Sequence, residues 1–428
     1  MEDIIIRNTV AVLPGENGPE GKPCSVAVKD GRISAILPPE TDCAAQTVLD
    51  GSGKLLTPGL VNAHTHAYMT GMRNWADDLC FEDWLFGRVM PKEDALTPED
   101  AYAFSLLGCL EMLSGGVTAY LDMHMFPGMS ARAALDSGMR AVISRGLSGG
   151  GDDAAGGVRR LREAREEYAQ YGGEKRLGFM LAPHAPYTCS EDYLREIADT
   201  ARELDLGIHT HLSETQGEVD DCLQQYGCTP IGLYDRCGLL SERTVAAHCV
   251  HLTEGDVELL AQRGVSVATN PASNLKLANG IAPVPELLRH GVNVCLGTDS
   301  TASNNSLSVL RELSLVTLLH KGRTGDPRSV TAREGFTMAT EAGCRALGLA
   351  GGVIRSGEPA DLALFDLSAP GLVPLGDPVA ALAYSGNALR AYAVLVDGEL
   401  AWNAYRSTKL DMDRAFAAAR EACRRLGM

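Results

Sequence analysis

The sequence has no CxxC pair, no excess of basic residues and no uninterrupted apolar run long enough to span a bilayer. Each absence removes a class of protein. The 12 cysteines follow no regular spacing, and several, such as Cys249 and Cys295, lie inside apolar runs. They read as buried free thiols in a reducing cytoplasm, not as a disulfide framework. Against 55 Asp and Glu there are only 38 Lys and Arg, a net charge of -17. A field of that sign repels nucleic acid and anionic membrane surfaces, and leaves room for a small anion only where local arginines hold it. The opening MEDIIIRNTV is acidic at once and has no basic region before a long apolar stretch. No signal peptide is expected, and the expected compartment is cytoplasmic. Repeats, low-complexity segments and long linkers are also missing.

What is present is an ordinary globular composition, 45% hydrophobic and 22% charged over 428 residues. That length allows one large core with a smaller one appended. Both chain ends read as short strands. At the start these are 4–6, 10–12, 25–28, 33–36, 48–50 and 54–56, with Asp30-Gly31 as a hairpin signal. At the end they are 361–365 and 391–396, followed by Asp397-Gly398. One small β-sandwich-like domain formed by both ends is expected, from residues 1–57 and 356–428, with a closing helix over 411–426. Between them, in 58–355, apolar runs at 59–67, 117–123, 141–147, 177–182, 207–212, 245–250, 265–269 and 292–297 alternate with helical patterns such as 97–114, 159–171, 191–204, 254–263 and 285–290. Eight strand–helix units predict an α/β fold, a (β/α)8 TIM-type barrel with its site at the C-terminal strand ends.

The chain is organised around PGLVNAHTHAYM, residues 58–69. His64 and His66 are two apart, so on a strand they share one face. Later runs end in His184, in His211 with Glu214, in His248, and in Asp299 within GTDSTASNNS. Three imidazoles and a carboxylate, His64, His66, His211 and Asp299, suit one divalent ion per subunit, Zn2+ first and Fe2+ as the alternative. His209 shares a face with His211, so spacing alone leaves both open; the HLSE run favours His211. A two-metal site would want a bridging modified lysine at the fourth strand end, which reads Leu181-Ala182-Pro183-His184. One metal is therefore expected. Glu214 is the candidate proton shuttle, with a helix-start carboxylate as the plainer reading of TQGE after it. His248, in AAHCVH, is placed to orient or deprotonate water. His251, three residues on, lies beyond the strand end and reads as structural, as do His124, His290 and His320, which have no motif around them. Residues 270–277, NPASNLKL, read as a rigid polar loop with no single catalytic residue.

With these residues in view, the chain resembles the amidohydrolase superfamily, and within it the 5-methylthioadenosine/S-adenosylhomocysteine deaminases. The resemblance runs along nearly the whole length, through PGLVNAHTHAYMTGMRNWADDLCFEDWL, MRAVISRGL, APHAPYTCS, IHTHLSET, AAHCVH, NPASNLKLANGIAPV and LGTDSTASNN. It implies that His64, His66, His211 and Asp299 bind the metal and that Glu214, His248 and Asp299 handle protons. It implies substrate contacts from Trp84, Glu93 on the ribose hydroxyls, His184 near the purine or ribose, and Arg145 at the ligand's far end. A second arginine there is Arg160, or Arg159 if the loop GGGDDAAGGVRR is shifted by one. The implied partner is a small nucleoside; a homo-oligomer is compatible, and no nucleic acid or membrane is expected. Hydrolysis of another amino- or halo-heterocycle competes with this reading, as does a non-catalytic scaffold on the same barrel. The cytidine-type HxE…PCxxC signature is absent.

Overall fold

The computed structural model describes residues 1–386 and 389–428. Eight parallel strands follow one another in chain order: Leu60–Thr65, Val117–His124, Arg140–Leu147, Leu177–Pro183, Gly207–Leu212, Thr244–His248, Ser266–Thr269 and Asn293–Leu296. They fall on the eight expected runs. Several are buried end to end, because their inward side chains fill the barrel and their outward ones meet helices. That two-sided burial is why they read as continuous apolar runs and not as alternating ones.

The last strand closes on the first. Thr65 bridges Asp299, and the amides of Thr298 and Asp299 both donate to the His64 carbonyl at 3.0 Å. Asn62 completes the seam: its Oδ1 accepts from the Thr298 amide at 3.0 Å and its Nδ2 donates to Thr298 Oγ1 at 2.8 Å. A Cβ on Gly297 would sit 2.7 Å from His64 Cβ, so only glycine fits where the two ends meet.

The two chain ends form one nine-stranded mixed sheet. Its junction is Lys54–Pro58 paired antiparallel with Leu362–Asp366. On one side lie Glu2–Leu13, Glu20–Lys29 and Arg32–Leu37, with Ala45–Asp50 beside the first of these. On the other lie Ala391–Val396, Glu399–Asn403 and Arg406–Ser407. Both Asp-Gly pairs are two-residue turns with positive φ throughout: 49° and 76° at Asp30 and Gly31, 54° and 74° at Asp397 and Gly398. They also touch, since a Cβ on Gly398 would lie 2.7 Å from Gly31 Cα.

Two segments differ from expectation. Residues 270–277 are not a loop: Pro271–Lys276 is a short helix, started by a proline whose fixed φ suits a first turn. The helix expected from residue 159 begins at Ala154, within the Gly-rich stretch. Glycine costs about 1 kcal/mol relative to alanine in a helix, but Gly157 is needed there. A Cβ on it would lie 3.1 Å from the Tyr193 ring, whose hydroxyl donates to the Gly157 carbonyl at 2.8 Å.

The closing helix, Met412–Leu426, packs on Pro98–Ser114 through Ala415, Ala419, Ala422 and Leu426, with Arg425 paired to Asp100. Among the described residues no helix is long and apolar enough to cross a membrane.

Candidate active site

The strand ends open into one cavity. Its polar lining includes His66, Glu93, His184, His211, Glu214, His248 and Asp299, and its apolar wall includes Met69, Trp84 and Met125.

Hydrogen bonding fixes the imidazoles. His66 Nδ1 lies 2.9 Å from the Met123 carbonyl, and His211 Nδ1 lies 2.8 Å from the His184 carbonyl. A carbonyl only accepts, so both Nδ1 atoms carry the hydrogen and both Nε2 atoms present a lone pair. Those lone pairs face each other at 3.3 Å. His64 is fixed through a longer chain. Ser144 Oγ donates to the Asp122 carbonyl at 2.9 Å and accepts from His209 Nδ1 at 2.8 Å. His209 Nε2 then accepts from His64 Nδ1 at 2.8 Å. His64 Nε2 is left buried without a hydrogen-bond partner, 3.5 Å from Asp299 Oδ1, which is itself 3.4 Å from His66 Nε2.

Burial keeps these rings neutral. It lowers the His66 pKa to about 4 against the pull of Asp299, lowers that of His64, and takes that of His211 well below its usual value. Three convergent lone pairs and a carboxylate oxygen repel one another unless a cation lies among them. Imidazole and carboxylate donors with their outer nitrogens anchored fit a divalent ion of the zinc or iron type.

His248 differs from these three. Burial pulls its pKa down, but Glu214, Asp299, Asn274 and Glu218 together outweigh burial and raise it. Its Nδ1 meets Asn274 Oδ1 at 2.8 Å, and its Nε2 lies 3.7 Å from Glu214 Oε2. Its ligand atom also groups with those of His64 and His211 within 4.8 Å, as Asp299 does with His64 and His66. Burial raises the Glu214 pKa to about 7, and Asn279 Nδ2 donates to its Oε1 at 2.8 Å. A carboxyl group poised there exchanges protons readily near neutral pH. Burial opposes ionisation of Asp299, yet the neighbouring histidines hold its pKa well below the usual carboxylate range. Its Oδ2 accepts from Ser273 at 2.6 Å and Ser303 at 2.8 Å, and its Oδ1 from the Ser300 amide at 2.7 Å.

Residues 270–279 thus touch three chemical groups at once: Ser273 holds Asp299, Asn274 holds His248, and Asn279 holds Glu214. Nothing in the sequence singles out any of the three. Their one visible signal was a cluster of Asn and Ser directly after a barrel strand. Lys276 of the same segment pairs with Asp77 at 2.6 Å and donates to the Ala302 carbonyl at 2.9 Å, which also accepts from Trp84 Nε1 at 3.2 Å.

Trp84 sits on the π-helical turn Asp83–Val89. Glu93 is hydrogen-bonded by the Tyr68 hydroxyl, and burial raises its pKa to about 7. His184 Nδ1 lies 3.1 Å from Thr188 Oγ1. The arginines stand apart and do not line the cavity. Arg145 pairs with Glu163 at 2.9 Å, Arg160 with Asp153 at 2.6 Å, and Arg159 is an exposed side chain 3.6 Å from Glu163.

Comparison with known proteins adds to this geometry. A model described as the amidohydrolase family matches residues 55–401. A 5'-deoxyadenosine deaminase of Methanosarcina mazei is 39% identical over 433 residues, covering 100% of this chain and 99% of the relative. A 5-methylthioadenosine/S-adenosylhomocysteine deaminase of Dictyoglomus thermophilum is 44% identical over 369 residues, 86% of each chain. Among solved structures, an adenosine deaminase from Xanthomonas campestris with bound zinc superposes with a TM-score of 0.94 at 34% identity, covering 99% of this chain and 98% of that one.

Proposed function

This chain belongs to the amidohydrolase family, a metal-dependent family, and from that premise we propose that it deaminates 5'-substituted adenosines. The substrate class is 5'-methylthioadenosine, S-adenosylhomocysteine and 5'-deoxyadenosine, and the products are ammonia and the inosine analogue. The observation that carries the reading is the convergence of three anchored imidazole lone pairs and Asp299 beside a buried glutamate with a pKa of about 7.

His64, His66, His211 and Asp299 would hold one ion, Zn2+ before Fe2+, and the zinc-bound neighbour supports that order. Such an ion, when bound, supplies Lewis acidity and lowers the pKa of water. The chain's own groups move the protons. Asp299 and His248 take the proton of the attacking water. Glu214 delivers one proton to the ring nitrogen and, reloaded with the water proton held by Asp299 and His248, a second to the departing amine; the hydroxyl proton left on the attacked carbon returns to Glu214 as the carbonyl forms. Asn279 on Oε1 leaves Oε2, the oxygen beside His248, to carry these protons. Glu93 takes the ribose hydroxyls, for which its partner Tyr68 must yield, and Trp84 and His184 flank the nucleoside. The reaction belongs in the cytoplasm, which 12 free cysteines support.

The test is ammonia release from the three adenosines, with guanine and a chlorotriazine as competitors, and metal content by elemental analysis. Turnover of the adenosines with one equivalent of metal is expected. Turnover confined to guanine or the triazine would replace the reading.

A further inference from the structure

We propose that Glu163 is a specificity-determining residue that biases the site toward substrates with an uncharged 5' tail. The proposal rests on the deaminase reading and deepens it. Part of the cavity wall is apolar, formed by Phe81, Leu85, Val89 and Met125, while Tyr68 bonds Glu93. Among the described residues lining the cavity there is no lysine or arginine. The guanidinium of Arg145 lies behind that wall, its Nη1 3.1 Å from the Met125 sulfur.

That guanidinium is already committed. Its Nε and Nη2 donate to Glu163 Oε2 at 3.2 and 2.9 Å, and its Nη1 donates to the Gly146 carbonyl at 2.7 Å. Arg145 is 7% exposed and the Glu163 side chain 26%, so the pair is partly shielded from water. The other Glu163 oxygen faces Arg159 Nε at 3.6 Å. Arg160, nearby on the same helix, is taken by Asp153 and by the Ser148 carbonyl at 2.9 Å. A carboxylate entering this region therefore meets no unpaired cation among these three arginines and has the negative Glu163 as a neighbour. It must displace Glu163 or lie beside it, and like charges repel. A methyl or methylthio tail needs only the apolar wall.

Glu163→Gln tests this, because it keeps an acceptor for Arg145 and removes the charge. Three substrates separate the possibilities: 5'-methylthioadenosine, S-adenosylhomocysteine, and a 5'-carboxyalkylthio adenosine that has the carboxylate without the ammonium. Glu163→Gln is expected to raise kcat/KM about tenfold on both carboxylate substrates, the worth of one charge-assisted hydrogen bond, and to leave methylthioadenosine within about twofold. Unchanged turnover of methylthioadenosine also reports an intact fold. Adding Arg145→Met should abolish the gain, and Glu166→Gln, an exposed control on the same helix, should produce none. No gain on either carboxylate substrate overturns the proposal. A loss on S-adenosylhomocysteine alone overturns it too, because Glu163 would then be holding the ammonium. An equal change on all three substrates would make Glu163 a structural residue only. Failure of the unmodified protein to release ammonia from any of the three would remove the deaminase reading itself, and the inference with it.

Discussion

His209 is the residue whose replacement separates the two readings of the HTH pair at 209–211. Its Nε2 is the acceptor for His64 Nδ1, and it is itself fixed by Ser144. Phenylalanine would fill the same space and take the acceptor away. The buried Nδ1–H of His64 would then lose its partner, a cost of about 1–3 kcal/mol, or the ring would switch tautomer and turn its lone pair away from the ligand cluster. Loss of such an outer partner typically weakens metal binding about 10–100-fold. Glutamine places an amide oxygen close to where Nε2 stood, so His209→Gln should remain within a few-fold of the unmodified protein. His211→Gln, which removes one of the converging lone pairs, should lose far more. The assay is competition with a zinc-binding dye on chelator-stripped protein, which reads Kd without any turnover. Unchanged affinity in His209→Phe would refute the relay. Equal, near-complete losses at 209 and 211 would make His209 a ligand.

Three further outcomes follow from the same geometry. Glu214→Gln should keep its metal and lose about 10²–10⁴ in kcat; loss of the ion as well would place Glu214 among the ligands. Asn279→Leu removes the donor on Glu214 Oε1 and should lower kcat by about tenfold with KM and metal content unchanged; an effect on KM alone would contradict it. His320, buried on Val309–Thr324 away from the site, is held neutral by burial, with its pKa lowered to about 4. The unfolded chain takes up that proton near pH 6.5 and the folded chain does not, so stability falls as pH drops from about 6.5 to 4, by up to ~3 kcal/mol. Denaturant titrations of His320→Leu should lack that component, and identical pH slopes in both proteins would refute it.

The barrel was legible because parallel strands covered on both faces leave unbroken apolar runs, and the Asp-Gly turns because few other pairs tolerate two positive φ values. His64 and His66 were legible because a period of two puts them on one face. The same period could not rank His209 against His211, which share a face. The structure separates them by depth, through Ser144 on a strand two places away in the barrel, and no local pattern carries that. The segment 270–277 reads as a loop because a six-residue polar helix has no apolar stripe, and its partners His248 and Asp299 come from the ends of other strands. The resemblance aimed Arg145 and Arg160 at a ligand. What it could not carry was Glu163 and Asp153, which hold those arginines in the folded chain.

The joint between Lys54–Pro58 and Leu362–Asp366 has a consequence during synthesis. The first of these strands leaves the ribosome early, and its partner follows only after the whole barrel has been made. At typical elongation rates that interval lasts on the order of tens of seconds. Throughout it, Lys54–Pro58 presents an open sheet edge beside Glu2–Leu13, the kind of edge another nascent chain can pair with. The strand is short, five residues, begins with a lysine and ends with a proline that has no amide to offer. Those traits make it a poor template for a stranger while it waits for its own partner.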